Sequence, residues 1–260
     1  MKLSVLGLMA ILVGAPAVGR AQDLDTSYGA LKEAQAKGDP AAVKKFAAET
    51  SALARKAAAE PAPKEADEMD PWNTRIAYAK NVDAQTEYAL YELALKAPPA
   101  GMVDLLAALE AQNPKSKYLD QAYGHYLYAL SQTGGTAKIT AIAEKAVVNF
   151  PENTDLLLVM VNSTFSGKST DRAQGFANRL VAAWAKKTKP AGVADADWEK
   201  QKSASLSRGY WVAGVTSAEK GQYAAADKNL RAALPYVKGN DAMMAPALFY
   251  LGTANYNLGR

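Results

Sequence analysis

Cysteine is absent from this 260-residue chain, and histidine occurs once, at His125. The first absence removes disulfides, thiolate nucleophiles, thiolate metal sites and a lipid-modified cysteine. The second leaves metal binding without imidazoles to cluster, because a zinc site wants about three or four His, Cys or acidic ligands together. No G-x-S-x-G elbow accompanies His125, so a Ser-His-Asp triad has no nucleophile turn to stand on. Runs of β-branched residues are scarce too. Alanine, leucine, lysine and glutamate dominate a composition that is 49% hydrophobic, and the expectation is an all-α protein.

Strong charge of either sign is also missing. The chain carries a net charge of +4. Residues 1–21 read as an export leader: Lys2 gives a positive start, Leu3 to Val13 is an apolar run too short to span a bilayer, and Gly19-Arg20-Ala21 places small residues before a cut at Gln22. Without that leader 28 basic residues face 26 acidic ones, a balance that gives no case for nucleic acid. A membrane is expected only through an uncleaved leader.

Past the leader the chain is punctuated by prolines and glycines. A helix over 24–37 ends at Gly38, and Asp39-Pro40 starts the next as N-cap and first residue. Val43, Phe46, Ala47, Thr50, Leu53 and Ala54 then repeat at helical spacing. Pro61-Ala-Pro63 closes this pair, giving an N-terminal helical hairpin over 22–62. The acids Glu65, Asp67, Glu68 and Asp70 precede Asp70-Pro71-Trp72, read as another cap and helix start. Negative charge is favoured at such an end by the helix dipole, and the spacing and turn glycine of a calcium loop are lacking. A long helix over 72–96 follows, with Tyr88, Tyr91 and Leu95 widening its apolar stripe. Shorter helices follow over 102–112, after Ser116 (a cap), over 154–165 and over 169–186. Asp195 or Asp197 is expected to cap the long helix through Trp198 and Leu206, whose N-terminal half should overhang its partner. Lys186, Lys187 and Lys189 before Pro190 read as cations at a helix C-terminus.

Two local motifs invite chemistry and fail on context. Gly167-Lys168-Ser169 looks like the tail of a phosphate loop, but Asn162 occupies the position of its first glycine and a helix precedes it. Asn162-Ser163-Thr164 fits a glycosylation acceptor but also falls on that helix.

Residues 208–260 carry the clearest pattern. Tyr210-x-x-Ala213-Gly214 opens an apolar face, Gly221-Gln222-Tyr223 breaks it, and Ala226, Leu230 and Ala233 continue at helical spacing. Leu248-x-x-Leu251-Gly252 then repeats the opening, followed by Tyr256. Pro114 and Pro151, 37 residues apart, suggest a degenerate repeat upstream. This pattern resembles the tetratricopeptide repeat, with a tyrosine for its tryptophan and Leu230 for its phenylalanine. The resemblance implies an α-solenoid of antiparallel helix pairs over 63–260, incomplete at its C-terminal end. Gly214 and Ala226 should mark the closest approach of two helices, and Gly221 should take a positive φ.

The resemblance also implies a non-enzymatic scaffold in a bacterial periplasm, binding a protein or peptide on its concave side without cofactor or metal. By register the first helices of the pairs should present His125, Tyr128, Gln132, Trp211, Val215, Phe249, Thr253 and Tyr256, a neutral, aromatic surface. A helical enzyme using carboxylates and His125, or a structural subunit of an envelope complex, are the alternatives. Phe249, Tyr250, Leu251, Ala254, Tyr256 and Leu258 point several ways around one helix, so some apolar surface should stay exposed there.

Overall fold

The computed structural model describes residues 18–260, with side-chain surroundings from Asp23 onward; the expected leader falls outside the residues so described. The described chain is helical throughout, with no strand among the described residues. It divides into two compact units, one ending at Leu93 and one beginning at Ala94. None of its described helices is long and apolar enough to cross a membrane.

The first unit holds α1 (Val18–Lys37), α2 (Pro40–Ala58) and most of α3 (Met69–Lys96). Gly38 turns the chain with φ +65°. The Asp39 carboxylate then accepts the N–H groups of Ala41 and Ala42 at 3.0 and 3.1 Å, satisfying donors that the first helical turn leaves open. Leu24, Ala54, Ala79 and Val82 form a core cluster contributed by all three helices. Asp83 ties α3 to α2 by accepting from the Ser51 hydroxyl at 2.5 Å and from Arg55 Nε at 3.0 Å. The first unit runs through this packing of α3 to Leu93.

Two helix starts differ from expectation. A short 3-10 turn at Ala66–Glu68 runs straight into α3, so Asp70 sits inside the first turn and caps nothing. Asp195 and Asp197 likewise lie in the first turn of their helix, and Ala194 holds the N-cap position. In both places the acids still face the positive end of the helix dipole. Tyr88 and Leu95 on α3 are 37% and 40% exposed, so that helix is less enclosed than its stripe suggests.

The second unit contains α4 (Pro99–Gln112), α5 (Lys117–Gln132), α6 (Thr136–Asn149), α7 (Thr154–Ser166), α8 (Thr170–Lys186), α9 (Asp195–Glu219), α10 (Tyr223–Val237) and α11 (Asp241–Asn257). Each packs on the next in sequence. In addition α5 meets α7, α7 meets α9 and α9 meets α11, whereas α4, α6, α8 and α10 do not bring their Cα atoms within 8 Å of one another. The odd-numbered helices are therefore a contiguous layer and the even-numbered ones a splayed layer. Across the splayed layer long side chains still reach, as Glu144 and Arg172 do at 2.6 Å.

Small residues set the helix approaches. A Cβ on Gly214 would lie 2.5 Å from Leu230 Cγ, so α9 and α10 approach closely at this glycine. Gly209, five residues earlier and outside the pattern, does the same toward α8, with Val181 Cγ2 3.0 Å from its Cβ position. Ala226, Leu230 and Ala233 are fully buried. The start of α9, a helix of 25 residues beside the 15 of α10, packs on α8, where Trp198 meets Trp184 edge-on at 5.0 Å and is 8% exposed.

Candidate functional site: the cleft between α7 and α9

The odd-numbered layer is stitched laterally by polar groups. Asp155 of α7 packs against Gly124 of α5 and accepts from Gln201 of α9 at 3.2 Å. Two turns further along, Arg208 Nε of α9 donates to Asn162 Oδ1 of α7 at 2.7 Å. The Arg208 guanidinium stands 5.0 Å from the Phe165 ring and 5.3 Å from the Trp211 ring. Those two rings meet edge-on at 5.3 Å. Trp211 is itself pinned, donating its Nε1–H to the Met243 carbonyl of α11 at 2.7 Å.

Arg208 is thus a cation set beside two aromatic rings, which attract it through their quadrupoles. Burial disfavours its charge and lowers its proton affinity, though an arginine remains protonated in any ordinary condition. It forms no ion pair with any described carboxylate, and its Nη groups donate to no described acceptor. Arg208 is half-buried, so its charge is only partly withdrawn from water.

The guanidinium faces a cleft of about 570 Å³ lined also by Phe165, Ser166, Lys168, Thr170 and Glu219. Lys168 lies in the turn between α7 and α8 with φ +55°, a left-handed conformation uncommon outside glycine. It too lacks an ion-pair partner among the described residues. Glu219, at the end of α9, accepts from the Tyr250 hydroxyl at 3.3 Å. The turn at Gly167-Lys168-Ser169 follows helix α7, not a strand, and is closed by Ser169 N–H on the Thr164 carbonyl at 2.9 Å.

The residues expected on the binding face divide in two. His125, Tyr128 and Gln132 are exposed on α5, and Phe249 and Tyr256 are exposed on α11, with Thr253 half-buried between them. Trp211 and Val215 are 7% and 2% exposed, because α9 is central in its layer and packs on helices at both sides. The cleft beside them carries the cations Arg208 and Lys168 with Glu219, in place of the neutral aromatic surface expected; Lys168 drew attention only through the Gly167-Lys168-Ser169 motif. Of the repeat-pattern residues, Gly221 takes φ +70°, Tyr210 stacks on Tyr236 at 6.3 Å, Tyr223 is half-buried and Leu251 is buried. Gly252 has no atom within 4 Å of its Cβ position and makes no close approach like that of Gly214.

Two further clefts are less promising. One, of about 560 Å³, separates α4 from α6 and is walled largely by alanines around Glu110. Burial raises the Glu110 carboxyl above the usual range, against the opposing effects of a hydrogen bond from Tyr123 and the charge of Lys145. The other, of about 610 Å³, lies between α1 and α2 beside Phe46, Leu53, Asp23 and Glu49. Among the described residues no group of three or more His, Asp or Glu is placed to hold a metal ion.

No protein-family model, no curated protein and no solved structure matches this chain. The likeness to the tetratricopeptide repeat therefore rests on the residues quoted above.

Proposed function

We propose that this chain is a non-enzymatic scaffold: a TPR-like α-solenoid that takes a protein or peptide partner on the layer formed by α5, α7, α9 and α11. The observation that carries this reading is the asymmetry of the two layers. Helices that touch along one side and splay along the other curve toward the touching side, and curved stacks of helix pairs offer extended concave surfaces. Gly214 against Leu230, with the turn at Gly221, supports the repeat reading locally. Export to the periplasm is part of the proposal and rests on the leader read from residues 1–21.

The test is position-dependent crosslinking. A photoreactive side chain replaces Tyr128 or Phe249 on the odd-numbered layer, or Val148 on α6, all three being exposed. Specific adducts, identified by mass spectrometry, are expected at Tyr128 and Phe249 and not at Val148. Adducts confined to Val148, or none at any position, would reject the reading.

A further inference from the structure

A guanidinium has five N–H donors in a planar fork, and Arg208 spends one of them on Asn162. The remaining four sit on Nη groups for which the fold supplies no acceptor, at a cleft wall. The fork is not free to wander. Phe165 and Trp211 flank its Cζ at 5.0 and 5.3 Å, Asn162 holds its Nε edge, and the Met243 carbonyl holds Trp211. That is the preorganisation which makes bidentate recognition of a carboxylate strong. Lys168, held in a left-handed turn, adds a second unpaired cation to the same cleft. Its left-handed φ is that of a helix C-terminal cap, with the Lys168 and Ser169 N–H groups on the Phe165 and Thr164 carbonyls at 3.0 and 2.9 Å, and this cap sets where the lysine stands.

Resting on the scaffold reading, we infer that the cleft between α7 and α9 binds an extended, acidic segment of a partner protein, with an Asp or Glu side chain of that segment seated on Arg208 and Lys168. Three features favour a peptide over a small anion. The cleft, at about 570 Å³, is many times larger than one carboxylate or phosphate group. Its Phe165 wall is apolar and suits the stem of a side chain. Glu219, on the same helix as Arg208 and about three turns along it, offers a carboxylate that can accept a hydrogen bond from a peptide N–H.

The test uses the purified chain and a capped peptide library with glutamate fixed at its centre, compared with the same library with glutamine fixed there. The wild type should retain the glutamate library about tenfold better at low salt, with the preference falling as salt screens the charges. Arg208→Gln should abolish that preference, and Lys168→Gln should reduce it several-fold. Arg208→Lys, which keeps charge but loses the fork, should recover only part of it. Melting curves of each variant identify any that fail to fold. Should the Arg208 variants misfold, Lys168→Gln, altering an exposed turn, still decides. Equal retention of both libraries by the wild type, or an unchanged preference in Lys168→Gln, overturns the inference. Arg208-dependent binding of inorganic phosphate or phosphatidylglycerol vesicles without glutamate preference overturns it as well, in favour of a free or lipid phosphate. Crosslinks at Tyr128 and Phe249 together with an indifferent Arg208 would leave the scaffold reading standing and remove this one.

Discussion

The Cα of Gly214 is so close to Leu230 that a methyl group there would lie 2.5 Å from Cγ, 2.6 Å from Cδ2 and 3.1 Å from the backbone nitrogen. Leu230 is fully buried and cannot swing aside into solvent. Gly214→Ala should therefore destabilise the second unit by about 2 kcal/mol, although alanine is by itself the better helix former. Leu230→Ala should cost about 2–5 kcal/mol alone. In the double variant the methyl occupies space the leucine has vacated, so the two losses should fall clearly short of additive. Denaturant midpoints of the four proteins measure this, and strict additivity would mean the residues do not share one contact.

Trp211 links the cleft to the neighbouring helix. Trp211→Phe keeps an aromatic face for Arg208 but removes the donor to the Met243 carbonyl. The expected cost is about 1–2 kcal/mol, with faster amide hydrogen exchange concentrated at the start of α11. Unchanged exchange in α11 would show that this bond does not hold the helix.

Lys168 should reveal a trade between stability and use. Lys168→Gly relieves a left-handed backbone that costs a side-chain-bearing residue roughly 1 kcal/mol. The added freedom of the unfolded chain offsets about 0.4–1 kcal/mol of that relief, so the variant should be more stable by at most about 0.6 kcal/mol and melt slightly higher, while losing affinity for acidic peptides. A lower melting temperature would contradict it.

The helical class, most helix limits and the Gly214 contact were legible in the sequence because they depend on neighbours along the chain. Asp39 before Pro40 and Ser116 are caps in the structure as read. Asp70 and Asp195 fail as caps because the chain enters each helix one or more residues earlier than the cap-and-proline or acid signal implies. Arg208 escaped notice for a different reason. An arginine on a helix reads as a solvated charge, and only its spacing of three from Trp211 hinted at stacking. Phe165 and Asn162, which complete its setting, arrive from another helix, and no local pattern announces them. Trp211 and Val215 look like surface by register but are buried, since their helix has neighbours on both sides of its layer.

Glu110 gives a pH test. Its carboxyl is raised above the usual range chiefly by burial, so the folded state binds that proton more tightly than the unfolded chain does. A raised carboxyl lowers stability as pH climbs from the unfolded value through the folded one, and the cost is fully present above it. Glu110→Gln retains an acceptor for the Tyr123 hydroxyl, which stands 3.3 Å away. Relative to wild type, this variant should gain stability at neutral pH and gain little below the carboxylate range. A stabilisation that is larger in acid would reverse the sign and refute the assignment of burial as the cause.

The central claim is that partners occupy the layer of touching helices. Amide hydrogen exchange of the purified chain, alone and with the partner recovered by crosslinking, addresses it directly. Slowed exchange along α5, α7, α9 and α11, strongest where Phe165 and Arg208 face each other, with α4, α6, α8 and α10 unchanged, is the result predicted. Slowing along the even-numbered helices instead, or only within the unit ending at Leu93, would contradict it.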